Sequence, residues 1–274
     1  MKQNKMKTIH LHTGAHIRFT LFPDNQPHIQ LLEVEAGDEV QVIADLTSSV
    51  KLIHLLQAAN AIDHAGAIKK QLVIPYLLGA RYDRLMQPGD SLDLEVIAGL
   101  INSCGFPEVI LFDVHSAKAV SLIRNAVSIS NKILVQAYQA EGALLICPDA
   151  GAALKTGKYM EWNSGITEIV YCEKKRDLAT GRITLTVNEP ERCTGRPCVI
   201  IDDICDGGAT FLAIADQVRP SDLTLVISHG IFSKGFALLE QKFDRIICSN
   251  SLGQVYQHPM VQTIEIDWTF IKTL

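Results

Sequence analysis

The feature of this 274-residue chain that most restricts its fold is a series of short runs that are apolar throughout instead of alternating. They are "VQVIADL" (40–46), "QLVIPY" (71–76), "EVILFDV" (108–114), "ALLICPD" (143–149), "EIVYC" (168–172), "PCVIIDD" (197–203), "LTLVISHG" (223–230) and "DRIICSN" (244–250). A strand with one wet face alternates apolar and polar residues. A strand apolar on both faces is covered on both, which is the condition of a parallel sheet. Between the runs lie segments of helical period at 49–66, 91–105, 207–218 and 233–242. Such alternation predicts βαβ crossovers and an α/β fold of doubly wound, mainly parallel sheets. A break near "SNKILV" (130–135) predicts two similar α/β halves, 1–133 and 134–274.

Composition excludes several classes. The chain is 47% hydrophobic and 20% charged, with a formal net charge of −5, which argues against an extended nucleic-acid surface. No apolar run approaches the roughly 18 residues of a membrane helix, and the basic N-terminus "MKQNKMKTIH" lacks the apolar core of a signal peptide. Seven scattered cysteines without a CxxC pair predict free thiols in a reducing cytoplasm rather than disulfides or zinc.

Polar residues punctuate the strand ends: Asp113 and His115, then Asp149, then Asp202 and Asp203, then His229. A lone Asp there is most often a helix cap, but ligands of open α/β sheets bind outside the carboxyl ends of strands. The stretch "CVIIDDICDGGATF" (198–211) carries most. Its glycine turn before a helix offers backbone N–H groups to an anion. Its carboxylates would repel phosphate and instead suit hydroxyls, two adjacent ones a vicinal diol. A diol beside a phosphate describes a ribose phosphate.

That ordered stretch resembles the phosphoribosyl-pyrophosphate loop of phosphoribosyltransferase-fold proteins. Four further segments, in order along the chain, resemble ribose-phosphate pyrophosphokinases: "RFTLFPDNQPHIQL" (18–31), "IPYLLGARYDRL" (74–85), "FDVHS" (112–116) and "CPDAGAALK" (147–155). "EKKRDLATG" (173–181) falls where that family has a flexible Lys-x-Arg loop. The resemblance implies two phosphoribosyltransferase-like domains, the N-terminal one on the ATP side, and Mg²⁺-dependent pyrophosphoryl transfer from ATP to the anomeric hydroxyl of ribose 5-phosphate. It implies Lys174 and Arg176 over the migrating phosphates, and Phe22, Asp24, Gln26, Arg81, Tyr82, Asp83 and His115 on ATP. Asp202, Asp203, Cys205, Asp206, Gly207, Gly208, Ala209 and Thr210 would bind the ribose phosphate, and His115 and Asp149 the metal. Stacking of Phe22 on adenine across a subunit boundary implies a homo-oligomer.

The chain departs from the family at Tyr82 (usually Gln), at Gln26 (usually Glu) and after Arg84, where the Ser-Arg run linked to phosphate regulation is missing. Its phosphate loop reads Asp206-Gly207-Gly208-Ala209-Thr210 where D-T-A-G-T is common. Losing that threonine removes a hydroxyl and, by the sequence, adds room, so an acceptor extended beyond its 5-phosphate, such as ADP-ribose, stays open. A non-catalytic regulatory subunit and a base-modifying phosphoribosyltransferase are the rivals. The first would not need Lys174, Arg176, His115 and Asp149, and the second would not need the 18–31, 74–85 and 112–116 segments. "GAALKTGKY" (151–159) is no P-loop, because Tyr159 follows the lysine where Ser or Thr should hold Mg²⁺.

Overall fold

The computed structural model describes residues 6–11, 14, 16–148, 153–176 and 183–271, and the chain divides into two units. The first unit is Met1–Ser130 with Ser251–Gly253 and Asp267–Leu274; the second is Asn131–Asn250 with Gln254–Ile266.

In the first unit the order is β1 (Met6–His10), β2 (Ile17–Leu21), β3 (Pro27–Leu31), β4 (Glu39–Ile43), α1 (Ser49–His64), β5 (Ile68–Ile74), α2 (Asp93–Ser103), β6 (Val109–Phe112), α3 (Ala117–Leu122) and β7 (Ala126–Ile129). Strands β1-β4-β5-β6-β7 form one sheet, parallel at every pairing. All of β6 is buried, as its unbroken apolar run requires. Helix α1 starts where the Ser48 hydroxyl accepts the Lys51 N–H at 3.4 Å. Its Leu52, Leu55, Ala58, Ala59 and Ile62, at helical spacing, are buried in the core with Val40, Val42, Leu72 and Leu111. Each such leucine contributes about 1.5–3 kcal/mol by leaving water.

Strands β2 and β3 form a separate antiparallel ribbon, whose alternating pattern was not among the apolar runs. It is fixed to α1 by Phe19 against His54 (4.8 Å between rings) and by Gln57 Nε2 donating to the Pro27 carbonyl at 2.6 Å.

The second unit contains α4 (Lys132–Ala137), β8 (Ala143–Cys147), α5 (Ala153–Trp162), β9 (Ile166–Arg176), β10 (Ile183–Val187), β11 (Pro197–Cys205), α6 (Ala209–Ala215), β12 (Asp222–Gly230), β13 (Arg245–Ser249) and β14 (Val261–Ile264). The sheet order is β10-β9-β8-β11-β12-β13-β14, parallel except where β9 meets β10. From β8 the chain steps to β9 on one side, and from β11 to β12 on the other. Strand order therefore reverses between β8 and β11, the position at which open α/β sheets bind ligands. The β8 ladder ends at Ile200↔Ile146, whereas β12 stays paired through Cys205↔Gly230. Residues 201–205 thus project past β8 while still held on their other edge.

The α/β class with mainly parallel sheets is as the alternation predicts, and all eight apolar runs become strands. Two readings change. The segment 233–242 is a series of turns, not a helix, because Phe232 and Gly235 adopt left-handed backbone (φ +46° and +67°). The end of the chain returns to the first unit: Trp268 is buried edge-on against Phe112 at 5.2 Å, and Gln41 donates to the Thr269 carbonyl at 3.3 Å. All seven cysteines are free and buried. No helix among the described residues is long and apolar enough to cross a membrane.

Candidate active site

Asp202 is half-buried and Asp203 is 9% exposed, and the Asp203 N–H donates to Asp202 Oδ1 at 2.9 Å. The turn that follows is fixed by backbone. The Cys205 carbonyl accepts the N–H groups of Ile231 (2.8 Å) and Phe232 (3.1 Å), and the Asp206 carbonyl accepts that of Ser233 (3.1 Å). Gly208 stands in left-handed backbone (φ +79°), and a Cβ there would lie 3.1 Å from Leu239 Cδ2. Glycine is needed on both counts. The Gly208 carbonyl then accepts the Leu212 N–H at 2.9 Å, which opens α6 with Ala209 exposed and Thr210 half-buried in its first turn.

Two expectations are corrected here. Cys205 is fully buried in the core, and burial, followed by the Asp202 and Asp206 carboxylates, pushes its thiol up to about 12. Its side chain is therefore not a ligand contact. Nor does Gly207 open an empty pocket: a Cβ there would stand 3.3 Å from Lys234 Cδ, so the lysine stem fills the space.

In the first unit, the tip of the β2–β3 ribbon carries Phe22, Asp24 and Gln26, all exposed. Phe22 is 44% exposed and is no core residue; its ring centroid lies 6.0 Å from that of His28. The tip is closed by Phe22 N–H to Gln26 O (3.0 Å), Asn25 N–H to Phe22 O (2.9 Å) and Gln26 N–H to Asp24 Oδ1 (3.1 Å).

Arg81 and Tyr82 are exposed and line a pocket of about 320 Å³ with Tyr76, Asp93 and Ile97. That loop turns at Gly79 (φ +77°), where a Cβ would meet Ile97 Cδ1 at 2.5 Å. Asp83 is engaged by the protein: Ser116 Oγ donates to Oδ2 at 2.9 Å, Lys118 Nζ to its carbonyl at 2.7 Å, and Arg84 Nε lies 3.4 Å from Oδ1. It ties the 79–85 loop to the β6–α3 loop. His115 sits exposed on the latter, just after Asp113, whose backbone is left-handed (φ +34°).

Lys174 and Arg176 lie in β9, their backbones opposite Leu185 and Ile183 of β10. The charged stretch thus starts as paired strand where the resemblance implies a flexible loop; 177–182 and Asp149 fall outside the described residues. Sequence reasoning missed two groups. Ser116 and Lys118 as clasps of Asp83 were half-visible in "FDVHS". Lys234 was hidden by reading its segment as a helix.

Comparison with known proteins gives the family. Residues 4–105 match the model of the N-terminal domain of ribose phosphate pyrophosphokinase. A ribose-phosphate pyrophosphokinase of Archaeoglobus fulgidus is 30% identical over 199 residues, covering 72% of this chain and 68% of the relative. One from Sulfolobus acidocaldarius is 25% identical over 84% of this chain and 80% of its own length. The crystal structure of a phosphoribosylpyrophosphate synthetase from Mycobacterium smegmatis superposes with a TM-score of 0.81 at 16% identity, over 96% of this chain and 95% of that one. With the acidic glycine loop at the strand-order reversal and relatives spanning both units, this chain belongs to the ribose-phosphate pyrophosphokinase family.

Proposed function

We propose that this pyrophosphokinase moves the terminal diphosphoryl group of ATP onto the anomeric hydroxyl of ribose 5-phosphate. The hydroxyl oxygen bonds to the β-phosphorus, the bond from that phosphorus to the α,β-bridging oxygen breaks, AMP departs with that oxygen, and the hydroxyl proton passes to solvent. The products are 5-phosphoribosyl 1-diphosphate and AMP, the former a precursor for nucleotide biosynthesis.

The observation that carries this reading is the pair Asp202 and Asp203, running into the Asp206–Thr210 turn beyond the end of the β8 ladder. Carboxylates accept hydrogen bonds from a diol, and the N–H groups of a left-handed glycine turn suit the neighbouring 5-phosphate. Phe22, Asp24 and Gln26, with Arg81 and Tyr82, would take the adenine and phosphates of ATP. The exposure of Phe22 supports stacking on a base held by a neighbouring subunit of a homo-oligomer. Asp83 would act through the loops it ties together. Lys174 and Arg176 would neutralise charge that grows on the transferring phosphates.

The family implies Mg²⁺, which takes oxygen ligands and keeps several waters. Among the described residues no three His, Cys, Asp or Glu side chains gather into a metal cage. His115, exposed on the β6–α3 loop, has the room and the chemistry to meet a cation carried on the triphosphate, and His115 and Asp149 would touch it directly or through water. When bound it supplies Lewis-acid neutralisation of triphosphate charge.

The test is to incubate the protein with ATP, Mg²⁺ and ribose 5-phosphate and to identify products by mass. AMP in step with a diphosphorylated acceptor is expected, and ADP as the sole nucleotide product overturns the reading. AMP released only with ADP-ribose would move the acceptor, and AMP that stays at the protein-free level with every acceptor tried would indicate a regulatory subunit that has lost transfer.

A further inference from the structure

After β12 the chain doubles back over the acceptor loop. Its N–H groups at 231–233 are bonded to the Cys205 and Asp206 carbonyls, and Gly235 N–H closes a turn onto the Phe232 carbonyl at 2.8 Å. Lys234 stands at the crown of that turn. Beneath it, Phe232 is packed 4.9 Å from Phe236 and 5.1 Å from Tyr256, whose hydroxyl donates to the Gly230 carbonyl. Phe236 stacks 4.5 Å from His258, itself 2.7 Å from Glu240, and Leu239 lies under Gly208. The turn is thus anchored to the acceptor loop by backbone and by an aromatic cluster.

The lysine stem follows Gly207: a Cβ there would lie 3.3, 3.4 and 3.6 Å from its Cδ, Cε and Cγ. The residue is exposed, and among the described residues its ammonium has neither an ion-pair nor a hydrogen-bond partner. A stem laid along Gly207 with an unpartnered charge puts a cation beside the acceptor loop, where it can meet an anion bound there. The acids on the same loop favour hydroxyls, which leaves a phosphate as the group this cation fits.

We propose that Lys234 binds the acceptor's 5-phosphate, replacing by charge the hydroxyl that Gly207 lacks. This rests on the reading of 202–210 as the ribose-phosphate site. An ammonium attracts a dianionic monoester more than a monoanionic diester, so Lys234 also favours acceptors whose 5-phosphate is terminal.

The experiment uses the full chain and the variants K234A, K234M and K234R. It measures steady-state constants for ribose 5-phosphate at saturating ATP, and calorimetric binding of ribose 5-phosphate without ATP. K234A and K234M should both raise KM and Kd by about tenfold or more, with kcat within about threefold, and K234R should recover most of the loss. Methionine keeps the stem and removes the charge. Wild-type constants in K234M would mean that the stem only covers Gly207, and would overturn the proposal. A fall in kcat at unchanged KM would overturn it too. An active wild-type enzyme with unaffected variants sinks this inference alone; a wild-type protein that neither binds ribose 5-phosphate nor releases AMP sinks the loop reading with it.

Discussion

The two units hold the residues proposed for the chemistry in opposite ways. Both set a loop with a left-handed glycine against a core side chain, Gly79 on Ile97 and Gly208 on Leu239. In the second unit the loop is then held by backbone hydrogen bonds from 231–233 to Cys205 and Asp206, which depend little on side-chain identity. In the first unit the residues proposed to meet the nucleotide stand on a ribbon tip and an exposed loop, secured by side-chain clasps such as Ser116 to Asp83. Side-chain clasps can be removed one at a time and a backbone lock cannot. Substitutions should therefore act on binding in the first unit and on folding in the acceptor loop of the second.

The largest expected effect lies outside both classes. Lys174 is on a strand whose backbone is paired to β10, so its loss should spare the fold. If its charge acts on the transferring phosphates, Lys174→Ala lowers kcat by about 10²-fold or more, roughly 2.7 kcal/mol, with little change in ATP KM. Stopped assays with AMP as the readout check this. A near-normal kcat would return β9 to a plain structural strand.

Next in size is Gly208→Val. A β-branched residue there meets both the left-handed backbone and Leu239, costing about 1–3 kcal/mol for strain, with overpacking added. Denaturant unfolding should show a lower midpoint for this variant. An unchanged midpoint would mean that the loop is no more locked than those of the first unit, and the contrast would fall.

How far the sequence exposed this contrast depended on which force set each segment. Strands covered on both faces announce themselves, because burial leaves no polar positions in "VILF" or "CVII". The acidic glycine loop was legible because acids at a buried strand end need a polar ligand or water. The 233–242 segment was not, since Phe236, Leu239 and Phe243 have helical spacing, yet across turns Phe236 serves the aromatic cluster, Leu239 packs on Gly208 and Phe243 joins the apolar core. That misreading hid Lys234. Cys205 was drawn into the binding group by adjacency; pairing with Gly230 carries the strand past the acids and buries the thiol. The ribbon of β2 and β3 alternates, so it gave no continuous apolar run, although the residues it presents were found through resemblance.

The smallest effect on stability should come from Phe22→Ala, which also tests the contrast most sharply. Phe22 is 44% exposed at the ribbon tip, 6.0 Å from His28, while the ribbon's hold on α1 runs through Phe19 and Gln57 further down. Truncation should thus change folding stability by no more than about 0.5 kcal/mol. If the ring stacks on adenine, losing about 1 kcal/mol of aromatic contact raises ATP KM roughly fivefold and leaves the ribose 5-phosphate KM alone. Phe22→Trp should keep the ATP KM near the wild-type value, because stacking area is retained. A melting temperature that drops while ATP KM stays fixed would make the tip a structural element like the acceptor loop, and the two units would then differ only in exposure.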